Sequence, residues 1–364
     1  MATSQPMRKH VGDYITNLQK TIVTALESYS PACKFRCEEW IREEGGGGVS
    51  YTFPPLGQSS NDSHSIEKAG VNISTIHGML PPEAIKQMST AHAALKDLDR
   101  SHPFFATGLS LVIHPRNPHV PGIHTNYRYF EVLDSPLPAE SGESSDSEPK
   151  VIAWWFGVIT DMTPFYVNED DFTQFHNTLK GVCDQWSTFE NHQLSLYHKF
   201  KESCDGYLYT PHRKEHRGIG GVRFDDMDSD AMRKLLLGGK PDLPEDVLAH
   251  LTSQESVFRL VRALADSFLP SFQYVLDRRK DERTSPSERR WQLLRRGRAV
   301  EFNLVIDRGT KFGLAAPGVG AENVLMGLPP EARWEYCTEV GEQEGSEEAK
   351  MMEVLRTPKD WASL

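Results

Sequence analysis

The sequence predicts an α+β fold, a large and mainly antiparallel β-sheet flanked by α-helices on both faces, in a single domain over residues 1–364. Three observations predict it. Seven runs alternate in polarity or concentrate β-branched and aromatic residues, as strands do. Helix-length crossovers do not separate every strand pair, so antiparallel neighbours are favoured over parallel ones. Amphipathic stretches are long enough to cover the sheet.

In chain order, residues 7–29 read as an amphipathic helix and 31–44 as another, stopped by four glycines at 45–48. The glycines lack the lysine and Ser/Thr of a phosphate loop and read as a flexible turn. Strands are expected at 48–53 and 70–78, then a helix at 81–97, then strands at 110–115, 126–133 and 151–160. The Ser-, Glu- and Pro-rich stretch 134–150 reads as a solvated, flexible loop between two of these strands. Helices are expected at 169–186, 190–206 and 244–280, the last broken near Pro270, and strands at 218–227 and 299–307.

Composition narrows the function classes. A chain of 364 residues with 38% hydrophobic content can bury a sizeable core. No apolar run reaches the roughly 20 residues of a membrane span, and residues 1–27 lack a signal-peptide core, so a cytoplasmic protein without an integral membrane segment is expected. A net charge of −11 argues against nucleic acid as a partner. The arginine-rich segment 277–298 is the local exception. Its first half reads as a solvated face, whereas RRGR at 295–298 runs into an apolar stretch and is expected to be held more firmly. Five cysteines without a CxxC pair suggest neither a disulfide framework nor a zinc site. Cys33 and Cys37 could share a helix face, and simple packing is the ordinary account.

Three clusters could carry chemistry. In HPRNPHVPGIHTNYRYFEV (114–132), prolines stiffen the turn between His114 and His124, and Asn126 and Arg128 fall on one face of the next strand. An imidazole, an amide and a guanidinium together suit an anionic ligand with a proton to move, although histidines capping an ordinary turn give the same pattern. In WWFGVITDMTP, Asp161 follows an apolar strand, so a buried carboxylate needs donors; capping the next turn is the alternative. In HRKEHRGIGGVRFDD, Arg213 and Arg217 precede a glycine turn that admits a ligand closely, and His212 and His216 alone make a poor zinc site.

These stretches, together with EKAGVNISTIHGMLPP, FHNTLK, RRGRAVEFNLVIDRGTKFGL, LPPEARWEY and VLRTPKDW, resemble oxygen-dependent coproporphyrinogen-III oxidases from about residue 10 to the end. The resemblance implies a homodimer that binds coproporphyrinogen-III. It implies oxidative decarboxylation of two propionates to vinyls, giving protoporphyrinogen-IX in haem biosynthesis, with dioxygen as co-substrate and no other cofactor required. Carried over residue by residue, it makes His124, Asp161 and Asp307 catalytic. Ser110, Asn126, Tyr127, Arg128, Gly318, Val319 and Gly320 become substrate contacts, and Arg217 and Arg308 join Arg128 as candidates because a guanidinium pairs well with a propionate. Relatives described with a divalent metal would place it at His114, His124, His176 and His212; hydrogen-bonded roles for these histidines are the preferred expectation.

Two departures from the family pattern stand out. Val158 and Ile159 replace glycines before the aspartate, and Gly320 stands where an arginine is usual. They leave an alternative reading, a divergent paralogue with little turnover that binds tetrapyrrole or regulates a partner. Alternation of Val300, Phe302 and Leu304 on the expected strand 299–307 supplies an apolar face for dimerisation or for packing within the chain.

Overall fold

The computed structural model describes residues 5–31, 33–54, 64–138, 148–189, 192–193, 196–238, 243–315, 318 and 320–363. Helix α1 (Met7–Glu27) precedes strands β1 (Arg36–Ile41), β2 (Gly46–Phe53) and β3 (Ile66–Leu80). A short helix α2 (Pro82–Met88) leads to β4 (His102–Pro115), β5 (Gly122–Leu133) and β6 (Val151–Thr163). Helices α3 (Glu169–Ser187) and α4 (Leu196–Leu208) follow, then β7 (Gly220–Met227), which closes the sheet beside β6. The seven strands pair in the order in which the chain makes them, each antiparallel to its neighbour. Helices α5 (Ser229–Leu237), α6 (Glu245–Leu251), α7 (Gln254–Arg279), α8 (Pro286–Glu301), α9 (Arg308–Ala315), α10 (Ala321–Leu325) and α11 (Glu347–Arg356) complete the chain.

Directly paired residues of an antiparallel ladder share a face, so the register sorts the sheet into two chemistries. One row crosses it as Val71, Leu111, Thr125, Thr160 and Val222, and all five are buried. Helices α1, α3 and α7 cover this apolar face. Helix α7 alone contributes Leu260, Leu264, Phe268, Phe272 and Leu276. The next row, one residue along, reads Gly70, Val112, His124, Asp161 and Gly221. Beside it run Asn72, Ser110, Asn126, Ile159 and Arg223, then Ser74, Gly108, Arg128 and Gly157. Small and polar residues at alternate positions make the second face a floor rather than a core.

Part of that floor lies under the chain after α8. The Met326 side chain fills the space where a Cβ of Gly70 would stand, Gly327 lies against Val112, and His114 Nε2 bonds the Gly327 carbonyl at 2.9 Å. Helix α8 sets this course. Ser285 and Glu288 form a reciprocal capping box at its start. Glu67 of β3 then binds Arg289 at 2.6 Å and the buried Arg296 at 2.8 Å, and these cations hold its carboxyl down to about 2 although burial pushes it up.

Several elements depart from expectation. Residues 31–44 are not a helix: 36–41 pair with β2, because Gly45 and Gly46 adopt φ of 119° and 94° and turn the chain into a hairpin. Cys33 is buried and Cys37 exposed, so they share no helix face. Stretch 81–97 breaks after α2 into a short 3-10 turn, Ala93–Leu95. Helix 244–280 divides at Ser253, which caps α7, while Pro270 stays inside that helix. The expected strand 299–307 continues α8 and then a π-helical turn, Phe302–Ile306. Arg295 and Arg296 are held firmly, as expected, and Arg295 bonds Glu215 at 2.7 Å. The expected loop 134–150 falls partly on 139–147, outside the described residues.

Candidate active site

Three neighbouring strands bring the principal residues together. The ladder sets His124 of β5 opposite Asp161 of β6, and Gly221 of β7 opposite Asp161 in turn. His124 Nδ1 lies 2.8 Å from Asp161 Oδ1, and Asn126 Nδ2 lies 2.8 Å from His124 Nε2. Arg217, just before β7, donates from Nη2 to both Asp161 oxygens at 2.7 and 2.6 Å, and that nitrogen is 3.0 Å from His124 Nδ1. Its Nη1 reaches Asn303 Oδ1 at 3.3 Å, so the cation ties the sheet to the π-helical turn above it.

Charge state follows from these contacts. Asp161 is fully buried, which alone raises a carboxyl pKa, but Arg217 and His124 outweigh burial and hold it below the ordinary value. A guanidinium only donates, so a hydrogen carried on His124 Nδ1 can go only to Asp161. The neutral ring then presents a lone pair at Nε2 toward the Asn126 amide. Turning that amide round offers its oxygen instead, which suits a protonated Nε2. With 21% of its side chain exposed, His124 is the member of the trio that can hand a proton outward.

Asp307 forms a second acidic point where the π-helical turn meets α9. Tyr207 of α4 donates to its Oδ1 at 2.5 Å, while the Thr310 amide and hydroxyl reach Oδ2 at 2.6 and 2.7 Å. Burial raises this carboxyl, and the Tyr207 and Thr310 bonds bring it below its usual value. The Arg128 guanidinium points the same way: Nη2 lies 3.2 Å from the place where a Cβ of Gly309 would stand. Ser110 sits beside Asn126 on the floor. Arg308 is exposed at the start of α9, Gly318 and Gly320 are exposed beyond that helix, and Val319 lies outside the described residues.

Tyr127 is not brought to this face. Its neighbours in the ladder put it on the apolar side, buried, with its hydroxyl 3.1 Å from Thr160. The same parity divides the two bulky replacements: Val158 packs in the apolar core, and Ile159 alone faces the floor, against Cys204, Leu208 and Phe302. Nor do the four histidines converge. His114 bonds the Gly327 carbonyl, His124 Asp161, His176 the Tyr197 hydroxyl at 2.7 Å, and His212 Glu301 at 3.2 Å. Burial holds His114 down to about 3 and His176 well below its ordinary value. Among the described residues, no group of three or more His, Cys, Asp or Glu is arranged to hold a metal ion. His212 lies in the turn and His216 on the return strand of a small hairpin rather than on a helix, and Arg213 is taken by Glu301 at 2.8 and 2.7 Å.

Sequence reasoning missed Tyr207, Thr310 and Arg223. Arg223 had a legible signal, since it stands two residues from Gly221 on a strand that the glycine turn feeds into the site.

A buried carboxylate orienting a histidine, with guanidinium groups around it on an antiparallel floor, is an arrangement chemically suited to an anionic ligand and to proton transfer. A family model described as coproporphyrinogen III oxidase matches residues 10–361. The oxygen-dependent coproporphyrinogen-III oxidase of Drosophila melanogaster is 43% identical over 362 residues, covering 99% of this chain and 80% of that one. The mitochondrial enzyme of Homo sapiens is 42% identical over 362 residues, with 98% and 69% covered. An oxygen-dependent coproporphyrinogen-III oxidase of Prochlorococcus marinus is 38% identical over 360 residues, with 97% and 90% covered. The chain belongs to the coproporphyrinogen III oxidase family.

Proposed function

We propose that this chain is an oxygen-dependent coproporphyrinogen-III oxidase of haem biosynthesis, converting two propionates to vinyls and releasing protoporphyrinogen-IX. The observation that carries the reading is the intact His124–Asp161–Arg217 cluster on the polar floor, in a chain similar to such enzymes along its whole length. Each turnover removes carbon dioxide, one proton and two electrons from a propionate chain, and dioxygen accepts the electrons. The protein's part is to hold the macrocycle, exclude water and manage that proton. Arg128 and Arg308 are free of the Asp161 pair and suit propionates, which a guanidinium grips with paired charged bonds. Ser110 and Asn126 line the floor, Gly318, Val319 and Gly320 are offered as substrate contacts on the family resemblance alone, and His124 is the proton-handling group. Asp307 keeps room for a pyrrole N–H on Oδ1, whereas Asp161 meets one directly only when Arg217 withdraws.

The assembly we propose is a homodimer. Leu304, Val305, Leu314, Trp334 and Tyr336 are exposed along the chain that follows α8, and a second copy could cover them. Helix-turn packing replaces the expected strand alternation, so of its three residues only Leu304 is exposed, while Val300 and Phe302 are buried. Among the described residues, no helix is long and apolar enough to cross a membrane. Cytoplasm is the compartment we propose, which suits five cysteines that form no disulfide among the described residues. Purified protein given coproporphyrinogen-III in air is expected to accumulate protoporphyrinogen-IX, read as porphyrin fluorescence after oxidation, and to stop when oxygen is removed. A folded protein yielding no product above a buffer control would point instead to the non-catalytic paralogue.

A further inference from the structure

We propose that Arg223 is a further carboxylate-binding residue, gripping one propionate at the β7 edge of the floor; the inference rests on the active-site reading above. Position is the first ground. Arg223 ends the polar row Asn72, Ser110, Asn126 and Ile159, so its side chain rises from the same face as His124 and Asp161. It stands two residues along β7 from Gly221, which pairs with Asp161. That separation is roughly 8 Å between Cα atoms from Asp161, two residues along and one strand across. Arg223 shares its row with Ile159, so a ring lying over that row meets its side chain at the β7 edge, with Arg128 two strands away on β5.

Preorganisation is the second. An arginine on an edge strand often serves only to deter pairing with another sheet, and then it extends into solvent. Arg223 does not: its side chain is 17% exposed and its guanidinium carbon lies 4.2 Å from the Tyr207 ring centroid. Tyr207 is fixed in turn by Asp307 at 2.5 Å, so the stacked cation is braced by a residue of the site itself. Available donors are the third. Among the described residues, the guanidinium donates to Ser203 Oγ at 3.3 Å and to Asp225 Oδ2 at 3.0 Å. Asp225 is two residues away and half exposed, a solvent-screened pairing that an incoming carboxylate can displace. Five N–H donors in a fixed fork leave others for a ligand in either case.

The test is binding of coproporphyrin-III, the oxidised and unreactive tetracarboxylate, and of its tetramethyl ester, followed by fluorescence in low salt. Arg223→Ala is expected to weaken the tetracarboxylate about 10-fold and to leave the ester within about 2-fold, with Arg223→Lys recovering part of the loss. Arg223→Gln keeps bulk and hydrogen bonding without charge and should show the same selective loss, should the alanine protein melt early. Equal weakening of acid and ester would reveal a role in shape alone and overturn the inference. Unchanged acid binding in the Arg223 variants, with a loss in Arg128→Ala, would overturn it while sparing the active-site reading. No loss in either arginine variant would remove both.

Discussion

At the scale of single residues, parity along the strands decides who does what. Val158 and Ile159 are neighbours in sequence and face opposite media, one in the apolar core and the other on the floor. A Val158→Gly protein should therefore lose stability, by about 2–4 kcal/mol from lost burial and added chain entropy, while its KM for coproporphyrinogen-III stays put. A denaturant titration and a steady-state assay check the two halves; a shifted KM with unchanged stability would put Val158 on the floor instead. The same parity removes Tyr127 from the site and admits Arg223. His124, Asn126, Arg128 and Asp161 were legible because a strand and its alternation were legible there. Tyr207 was not, since nothing in the α4 sequence announces that its hydroxyl meets an aspartate 100 residues on.

At the scale of elements, local pattern and long-range pairing compete, and the two largest misreadings show which wins. RCEEWI has no strand signature of its own and becomes β1 because the hairpin offers β2 as a partner. AVEFNLVID alternates like a strand, yet it follows a helix begun by a capping box and stapled to β3 through Glu67, and it stays helical. Ser285 and Glu288 at that spacing were the available cue. Another long-range tie fixes the β7 edge. His92 stacks on Trp155 of β6 at 3.9 Å and bonds Asp228 at 2.7 Å, with Asp226 at 3.5 Å. Burial lowers this imidazole's pKa, but the two aspartates prevail and lift it to about 9. The group binds its proton more tightly when folded, so its contribution, at most roughly 3 kcal/mol, is complete below about pH 6.5 and lost as pH rises through about 9. Melting the protein and its His92→Gln variant across that window should show a steeper decline in the parent. Parallel curves would contradict the tie.

Taken whole, the molecule is a sheet with one oily side and one polar side, and the chain after α8 roofs part of the polar side. Fold class was legible because antiparallel neighbours need no helix-length crossover; the roof was not, because its contacts join residues such as Gly70 and Met326 that no periodicity relates. The acidic total of −11 conceals the arginines proposed to meet propionates, Arg128, Arg223 and Arg308, the local field that the proposed tetracarboxylate substrate calls for. Everything proposed for catalysis depends on the ring lying upon that floor. The most direct measurement is a crystal structure of the protein with coproporphyrin-III bound. The predicted map puts the macrocycle over the Ser110–Asn126–Ile159 row, with His124 Nε2 facing it and propionates at arginine side chains. A macrocycle bound away from this face, or shut out of it by Ile159 and the roof, would contradict the account.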